Sequence, residues 1–176
     1  FDRENLLVAT LPYEAVYGGW TFESDYTKRD ALLNRLEQNP QIKEIALGRG
    51  NITHSRMQWT RPVENGESVI FGVYVVSWNY LQAMGIDIVD GRDFLPSDEH
   101  SATGALIFNE QASKELSITV GEQINGHLDN ANTPIVGICK DFCFQSAHYG
   151  ITPYAFLVYG KYGWDQPRIA YIRTVA

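Results

Sequence analysis

Cysteine is scarce. Two residues in 176, Cys139 and Cys143, exclude a fold built on a disulfide framework and leave the compartment open. Long apolar runs are missing as well: no stretch approaches the ~20 residues that cross a bilayer as a helix. The opening Phe1-Asp2-Arg3-Glu4-Asn5 is neither a basic signal peptide nor a start at methionine, so the segment is expected to be cut from something longer. Basic clusters are absent too. Fourteen Lys and Arg stand scattered against 21 Asp and Glu, a formal charge of −7 with a sequence pI near 5.0, which argues against a nucleic-acid partner. The glycines form neither G-x-G-x-x-G nor G-x-x-x-x-G-K-[ST], so no nucleotide cradle follows the first strand. The four histidines show no i, i+4 pair and no H-E-x-x-H, so neither a metal nor another cofactor is expected.

What is present is the composition of a folded chain: 44% hydrophobic, 20% charged and 12% aromatic residues. Leu6-Leu7-Val8-Ala9-Thr10-Leu11, closed by Pro12, reads as a buried strand. Asp25 offers an N-cap for YTKRDALLNRLEQ, in which Leu32, Leu33 and Leu36 share one helical face and Asn39-Pro40 supplies the stop. With a strand beginning at Ile42, residues 6 to 48 spell strand, helix, strand, one unit of a layered α/β arrangement. From residue 50 the texture changes to strand-type alternation, with a hairpin turn at Asn65-Gly66. Ser77 caps a short helix, WNYLQAM, that Gly85 ends; IDIVDGRDF then runs as a strand into a turn. LPSDEHSATG reads as a solvated charged loop. The strand at Ala105 to Phe108 leads to a helix capped by Asn109, and Ile135 to Cys139 forms another strand. ITPYAFLVYG and RIAYIRTVA are two further strand-like runs. The middle of the chain is therefore expected to be a β-rich lobe with short helices.

The densest cluster of reactive side chains is CKDFCFQSAH, residues 139 to 148. Its cysteines are three residues apart, which fits neither a C-x-x-C dithiol nor a zinc pair. A thiolate pair of Cys143 and His148, with Asp141 beside it, would be a hydrolase reading, but the sequence shows no oxyanion donor and no residue orienting the base. Cys139 reads as a small buried hydrophobe at a strand end. Asp90 and Asp93 flank a turn, whose chemistry explains them without acid–base work. Most of the aromatics, among them Trp20, Trp59, Trp78, Tyr159, Tyr162 and Trp164, are accounted for by core packing as well as by a recognition surface.

Four stretches in order, NYLQAMGIDIVDGRDF, ALIFNEQASKELSI, VGEQI and IVGICKDFCFQS, resemble the periplasmic core domain of the MacB/FtsX family of ABC transporter permeases, in the form found in Bacteroides-like bacteria. Two departures are local: Ile118-Thr119-Val120-Gly121 stands where a D-P-[IV]-G turn is usual, and Asp141-Phe142-Cys143-Phe144 where D-F-H-F or D-F-N-F is usual. The resemblance implies an α+β, two-lobed fold. A porter-like β-α-β lobe, residues 1–71 and 147–176, is interrupted by a smaller β-rich, Sabre-like lobe, residues 72–146, and a second helix and strand are expected beyond Arg173.

It implies a non-enzymatic module of an inner-membrane permease, periplasmic in a Gram-negative bacterium, that couples cytoplasmic ATP hydrolysis to export or lipoprotein release. Its partners would be its own transmembrane helices, a second permease copy, a cytoplasmic ATPase, and a periplasmic adaptor or lipoprotein. Residues expected to specify the fold are Gly91, Arg92, Phe94, Asn109, Gly121, Gly137, Asp141 and Phe142. Arg92 would pin the GRDF turn through a carboxylate or carbonyls while Phe94 closes it over the core. His148 and Tyr149 are candidates to face a partner. The competing reading from another class is a small-molecule binding or sensing module that uses the cleft between the lobes.

Overall fold

Helix-forming residues fill TKRDALLNRLE, with Asp30 in the first turn and Arg35 in the last, each on the favourable side of the helix dipole. They form helix α1, Thr27–Glu37, which ends before Pro40. Its stripe of Leu32, Leu33 and Leu36 packs on Leu11, Ile45, Leu47 and Ala170. The structure, a computed structural model, describes residues 5–11, 27–50, 57–63, 66–125, 132–142, 150–160 and 167–175. Asp25, Asn65, Cys143, His148 and Tyr149 lie outside them, as do Trp20, Tyr162 and Trp164.

The sheet beneath α1 has three strands, β1 (Leu6–Thr10), β2 (Ile42–Gly48) and β10 (Ile169–Thr174), in the order β1-β10-β2. Both outer strands run antiparallel to β10, so β1 and β2 are parallel to each other. The strand-helix-strand unit is thus split, with β10 inserted between its two strands. The expectation of a buried β1 is corrected here: β1 is an edge strand in which Leu7 and Val8 are 59% and 61% exposed. A strand at the rim has cover only from β10, whereas β2 and β10 are covered on both faces.

The larger sheet holds β3 (Gln58–Pro62), β4 (Ser68–Val75), β5 (Ile88–Gly91), β6 (Ala105–Asn109), β7 (Gln123–Asn125), β8 (Asn132–Cys139) and β9 (Tyr154–Val158). Its order is β3-β4-β9-β6-β8-β5, with β7 and β5 sharing the outer edge of β8. β4 pairs β9 in parallel and β6 pairs β8 in parallel; the other pairs are antiparallel. The Gly66 turn joins β3 to β4, with φ +83 at the glycine. β6 and β9 are buried at every residue, which matches near-continuous apolar runs in sequence.

Alternation along these strands feeds two cores. Tyr74, Ile107, Phe156 and Val158 face one side, together with Ala46 and Tyr171 of the smaller sheet and Tyr80, Leu81 and Met84 of helix α2 (Tyr80–Met84). Phe71, Val73, Leu106, Phe108, Ala155 and Leu157 face the other, under Ala112 of helix α4 (Glu110–Glu115) and Leu116 at its C-cap. The layers therefore run α1, small sheet, α2 and large sheet, α4. The fold is mixed α+β. No helix among the described residues is long and apolar enough to cross a membrane.

Two local readings are corrected by the structure. Pro96–His100, expected as loop, is the one-turn helix α3; proline at its start and two acidic residues in its first turn are helix-start chemistry. Its Asp98 and Glu99 are each 8% exposed, so this segment is not a solvated face. Ser77 does not cap α2: Asn79 holds the N-cap position, without a side-chain cap bond, and Ser77 is drawn to β2 instead. Gly85 does end α2, with φ 66 and a bond from Ile86 N to Leu81 O.

Candidate functional site

Among the described residues, polar side chains hold the fold together at three places in particular. The first is the joint between the two sheets. Gly48 at the end of β2 bridges Val76 at the end of β4, and Arg49 N donates to Val75 O and Ser77 N to Leu47 O, both at 2.9 Å. Ser77 Oγ accepts from Leu47 N at 2.8 Å and donates to Asn79 Oδ1 at 2.8 Å, while Asn79 Nδ2 donates to Ile45 O at 2.9 Å. A Cβ on Gly48 would lie 2.5 Å from Tyr74 Oη, so only glycine lets the two sheets meet this closely. Tyr74 Oη donates to Gly50 O and lies 3.1 Å from Tyr171 Oη. Burial pushes the Tyr74 and Tyr80 hydroxyls well above the usual phenol range, which keeps them neutral donors.

An ion pair and a further arginine reinforce that joint. Arg29 Nη2 of α1 donates to Glu99 Oε2 of α3 at 3.3 Å, with both side chains buried, and also pairs with Asp30 at 2.8 Å. Glu99 Oε1 accepts from Trp78 N at 3.2 Å. From β10, Arg173 Nε donates to Ala83 O at 2.6 Å. A buried carboxylate so bonded is expensive to orphan, by about 3–5 kcal/mol when a sole partner is removed. The sequence carried little signal for these contacts, since Arg29 and Glu99 are 70 positions apart.

The second place is the Gly91-Arg92-Asp93-Phe94 turn. Gly91 sits opposite Gly137 in the β5–β8 pair, and a Cβ on either would strike backbone, 2.4 Å from Val136 O for Gly91 and 2.4 Å from Arg92 O for Gly137. Arg92 forms a two-pronged bond with Asp98, Nη1 to Oδ2 at 2.8 Å and Nη2 to Oδ1 at 3.0 Å, and Nη1 also reaches Asp93 O. Asp98 Oδ2 accepts from Leu95 N at 2.8 Å, so the carboxylate fastens the start of α3 as well. Asp90 and Asp93 accept from the amides that follow them; burial raises the Asp93 carboxyl above its ordinary value. Phe94 is buried in the core between the sheets. Gly121, with φ +94, donates its N–H to Ile135 O on β8.

The third place ties the ends of β6, β8 and β9. Asn109 Oδ1 accepts from Ala112 N at 3.1 Å, the helix cap, and from Tyr154 N at 2.8 Å. Its Nδ2 donates to Asp141 Oδ1 at 2.9 Å and Thr152 O at 3.1 Å. The same Asp141 oxygen accepts from Gln111 N at 2.9 Å, and Asp141 N donates to Glu110 Oε2. Phe142 stacks on Phe156 with ring centroids 5.4 Å apart. Asn109, Asp141 and Phe142 are thus brought together, while Gly91, Arg92, Phe94 and Gly137 form a separate group along the β5 side of β8.

Within the cluster at residues 139 to 148, Cys139 is fully buried and its thiol is pushed up to about 12 by burial, the state of a packed side chain and not of a nucleophile. Asp141, the third member of the hydrolase reading, spends its oxygen on Asn109 and Gln111. Cys143 and His148 lie outside the described residues. Among the described residues no group of three or more His, Cys, Asp and Glu is placed to hold a metal ion.

No family model matches the chain, and no curated protein matches it. Solved structures do. The chain is similar to the periplasmic region of MacB from Actinobacillus actinomycetemcomitans, at TM-score 0.60 and 12% identity over 97% of this chain and 75% of that one. It is also similar to the extracellular domain of the noncanonic ABC-type transporter YknZ from Gram-positive bacteria, at TM-score 0.61 and 15% identity over 98% and 84%. The likeness is one of fold, and it agrees with the mixed α+β architecture that the sequence resemblance implied. Because a Gram-positive transporter shares it, the fold does not carry the expected Gram-negative origin.

Proposed function

We propose that this chain is an extracytoplasmic, non-catalytic domain of an ABC-type transporter permease of the MacB/FtsX kind, passing motion between the membrane and a partner outside it. The observation that supports this best is the pairing of the shared fold with polar clusters that each fasten strand ends. A joint with hydrogen bonds on both sides of the Gly48–Val76 bridge and an ion pair across it is what a domain needs to carry displacement rather than absorb it.

In this reading the porter-like lobe is β1, α1, β2 and β10 and the Sabre-like lobe is the larger sheet. That moves the expected divisions, 71/72 and 146/147, to the connections at 49–57 and 159–168, because β3, β4 and β9 pair within the larger sheet. The uncovered side of β1 is where the further helix and strand expected beyond Arg173 would pack. A second permease copy, a cytoplasmic ATPase and a periplasmic adaptor or lipoprotein complete the proposal.

The test is the coding sequence around the segment. Apolar stretches of about 20 residues are expected on both flanks. With those in hand, an engineered disulfide across the joint of the intact permease should leave ATP-driven transport intact. Polar flanks would sink the proposal, and transport abolished by the cross-link and restored on reduction would sink the rigid-transmission part of it.

A further inference from the structure

Beside the Arg29–Glu99 ion pair the two sheets leave a groove of about 230 Å³ between α1 and α3. Its apolar lining comes from Leu33 of α1, Ile45 and Leu47 of β2 and the half-buried Trp78, beside the polar Ser77 and Asn79. Its rim carries Asp30, Asn34 and Glu37 of α1, spaced by four and three residues and hence on one helical face. Arg29 lies at the back, already committed to Asp30 and Glu99. One guanidinium and the His100 imidazole against the three carboxylates of Asp30, Glu37 and Glu99 still leave the lined space with an excess of negative charge. Low-dielectric walls strengthen such a field, and it repels anions.

We propose that this groove binds a small amphipathic organic cation: a primary ammonium held at the Asp30 and Glu37 rim, on an apolar body that rests on Trp78 and Leu33. The volume sets the size. It falls below the roughly 300–1,000 Å³ of drug-sized sites, so a single ring with a short amine arm fills it. The proposal does not depend on the permease reading, since the groove belongs to the isolated domain. Its occupant would touch α1 on one side of the joint and Trp78 on the other, and so favour the joined state.

The probe is phenethylammonium, with phenylacetate and 2-phenylethanol as anionic and neutral controls of the same shape. The 176-residue chain is titrated while the backbone amides of Trp78, Asn79 and Glu99 and the Trp78 indole N–H are followed by NMR. Phenethylammonium is expected to give saturable shifts with Kd on the order of 1 mM, and the two controls none. Glu37 is exposed on α1, so Glu37→Gln should keep the fold while weakening binding about threefold. Asn34→Lys, also at an exposed site, should weaken it about tenfold or more by placing a competing cation on the rim. Higher salt should weaken the wild type and leave Glu37→Gln less affected. No saturation by about 20 mM, equal responses to the three probes, or unchanged affinity in both variants would overturn the proposal.

Discussion

β1 and β9 are both five-residue apolar strands, LLVAT and YAFLV, and their fates are opposite. β9 lies between β4 and β6, with a core on each face, and is buried at all five residues. β1 has β10 on one side only, and four of its five residues are exposed. Composition sets how strongly a strand gains from burial; its place in the sheet order sets whether burial happens. The chain's stability should therefore be concentrated in the larger sheet and the joint, and the rim of the smaller sheet should carry little.

The largest effect is expected at Phe156, fully buried and in ring contact with Phe142, Tyr80 and Tyr154. Phe156→Ala should cost about 3–5 kcal/mol in urea unfolding. A loss below about 1 kcal/mol would mean that the site collapses around the cavity and that β9 is less central than its burial implies.

Next in size is the joint. Glu99→Ala removes the partner of Arg29 and the acceptor for Trp78 N, but Arg29 keeps Asp30, so a cost of about 2–3 kcal/mol is expected, below the full penalty for an orphaned buried charge. A double-mutant cycle with Arg29→Met isolates the pair. Coupling indistinguishable from zero would show that the backbone bonds around Gly48 hold the sheets unaided.

Asn109→Ala comes third, at about 2 kcal/mol, because the helix cap is lost and the amides of Ala112 and Tyr154 lose the acceptor they share. Asn109→Asp tests the geometry differently: it keeps the acceptor but turns the Nδ2 donor toward Asp141 into a carboxylate oxygen. Its loss of stability relative to the parent chain should therefore be larger at neutral pH than at low pH, as like charges oppose each other. An equal loss at both would argue that the carboxyl points away from Asp141.

The difference between the strands also marks how far the sequence was legible. Local signals carried well: the Leu32, Leu33 and Leu36 stripe of α1, the Asn109 cap, the Gly85 stop and the turn at Gly66 all depend on neighbours within a few residues. Pairing across long separations did not carry. Nothing in LLVAT says that β10, some 160 residues later, takes its inner edge, and nothing in SDEHS says that Arg29 and Arg92 wait for its carboxylates. Asn109 and Asp141 were both singled out, each for its own segment; that they bond to each other follows only from β6 and β8 being parallel neighbours.

The smallest effects are expected where the comparison is sharpest. Leu7 and Val8 point to opposite faces of β1, and both are more than half exposed, so each should lose under about 0.5 kcal/mol on replacement by threonine, which retains strand propensity. If β1 is a bare rim in the isolated domain, the doubly substituted chain should unfold at nearly the same urea concentration and aggregate less, because an exposed apolar edge is a template for pairing with other chains. A loss of about 2 kcal/mol or more would show that Leu7 and Val8 are covered in solution, by a second copy or by neighbouring chain. Repeating the measurement across a range of protein concentrations separates those cases, since only cover by a second copy is lost on dilution.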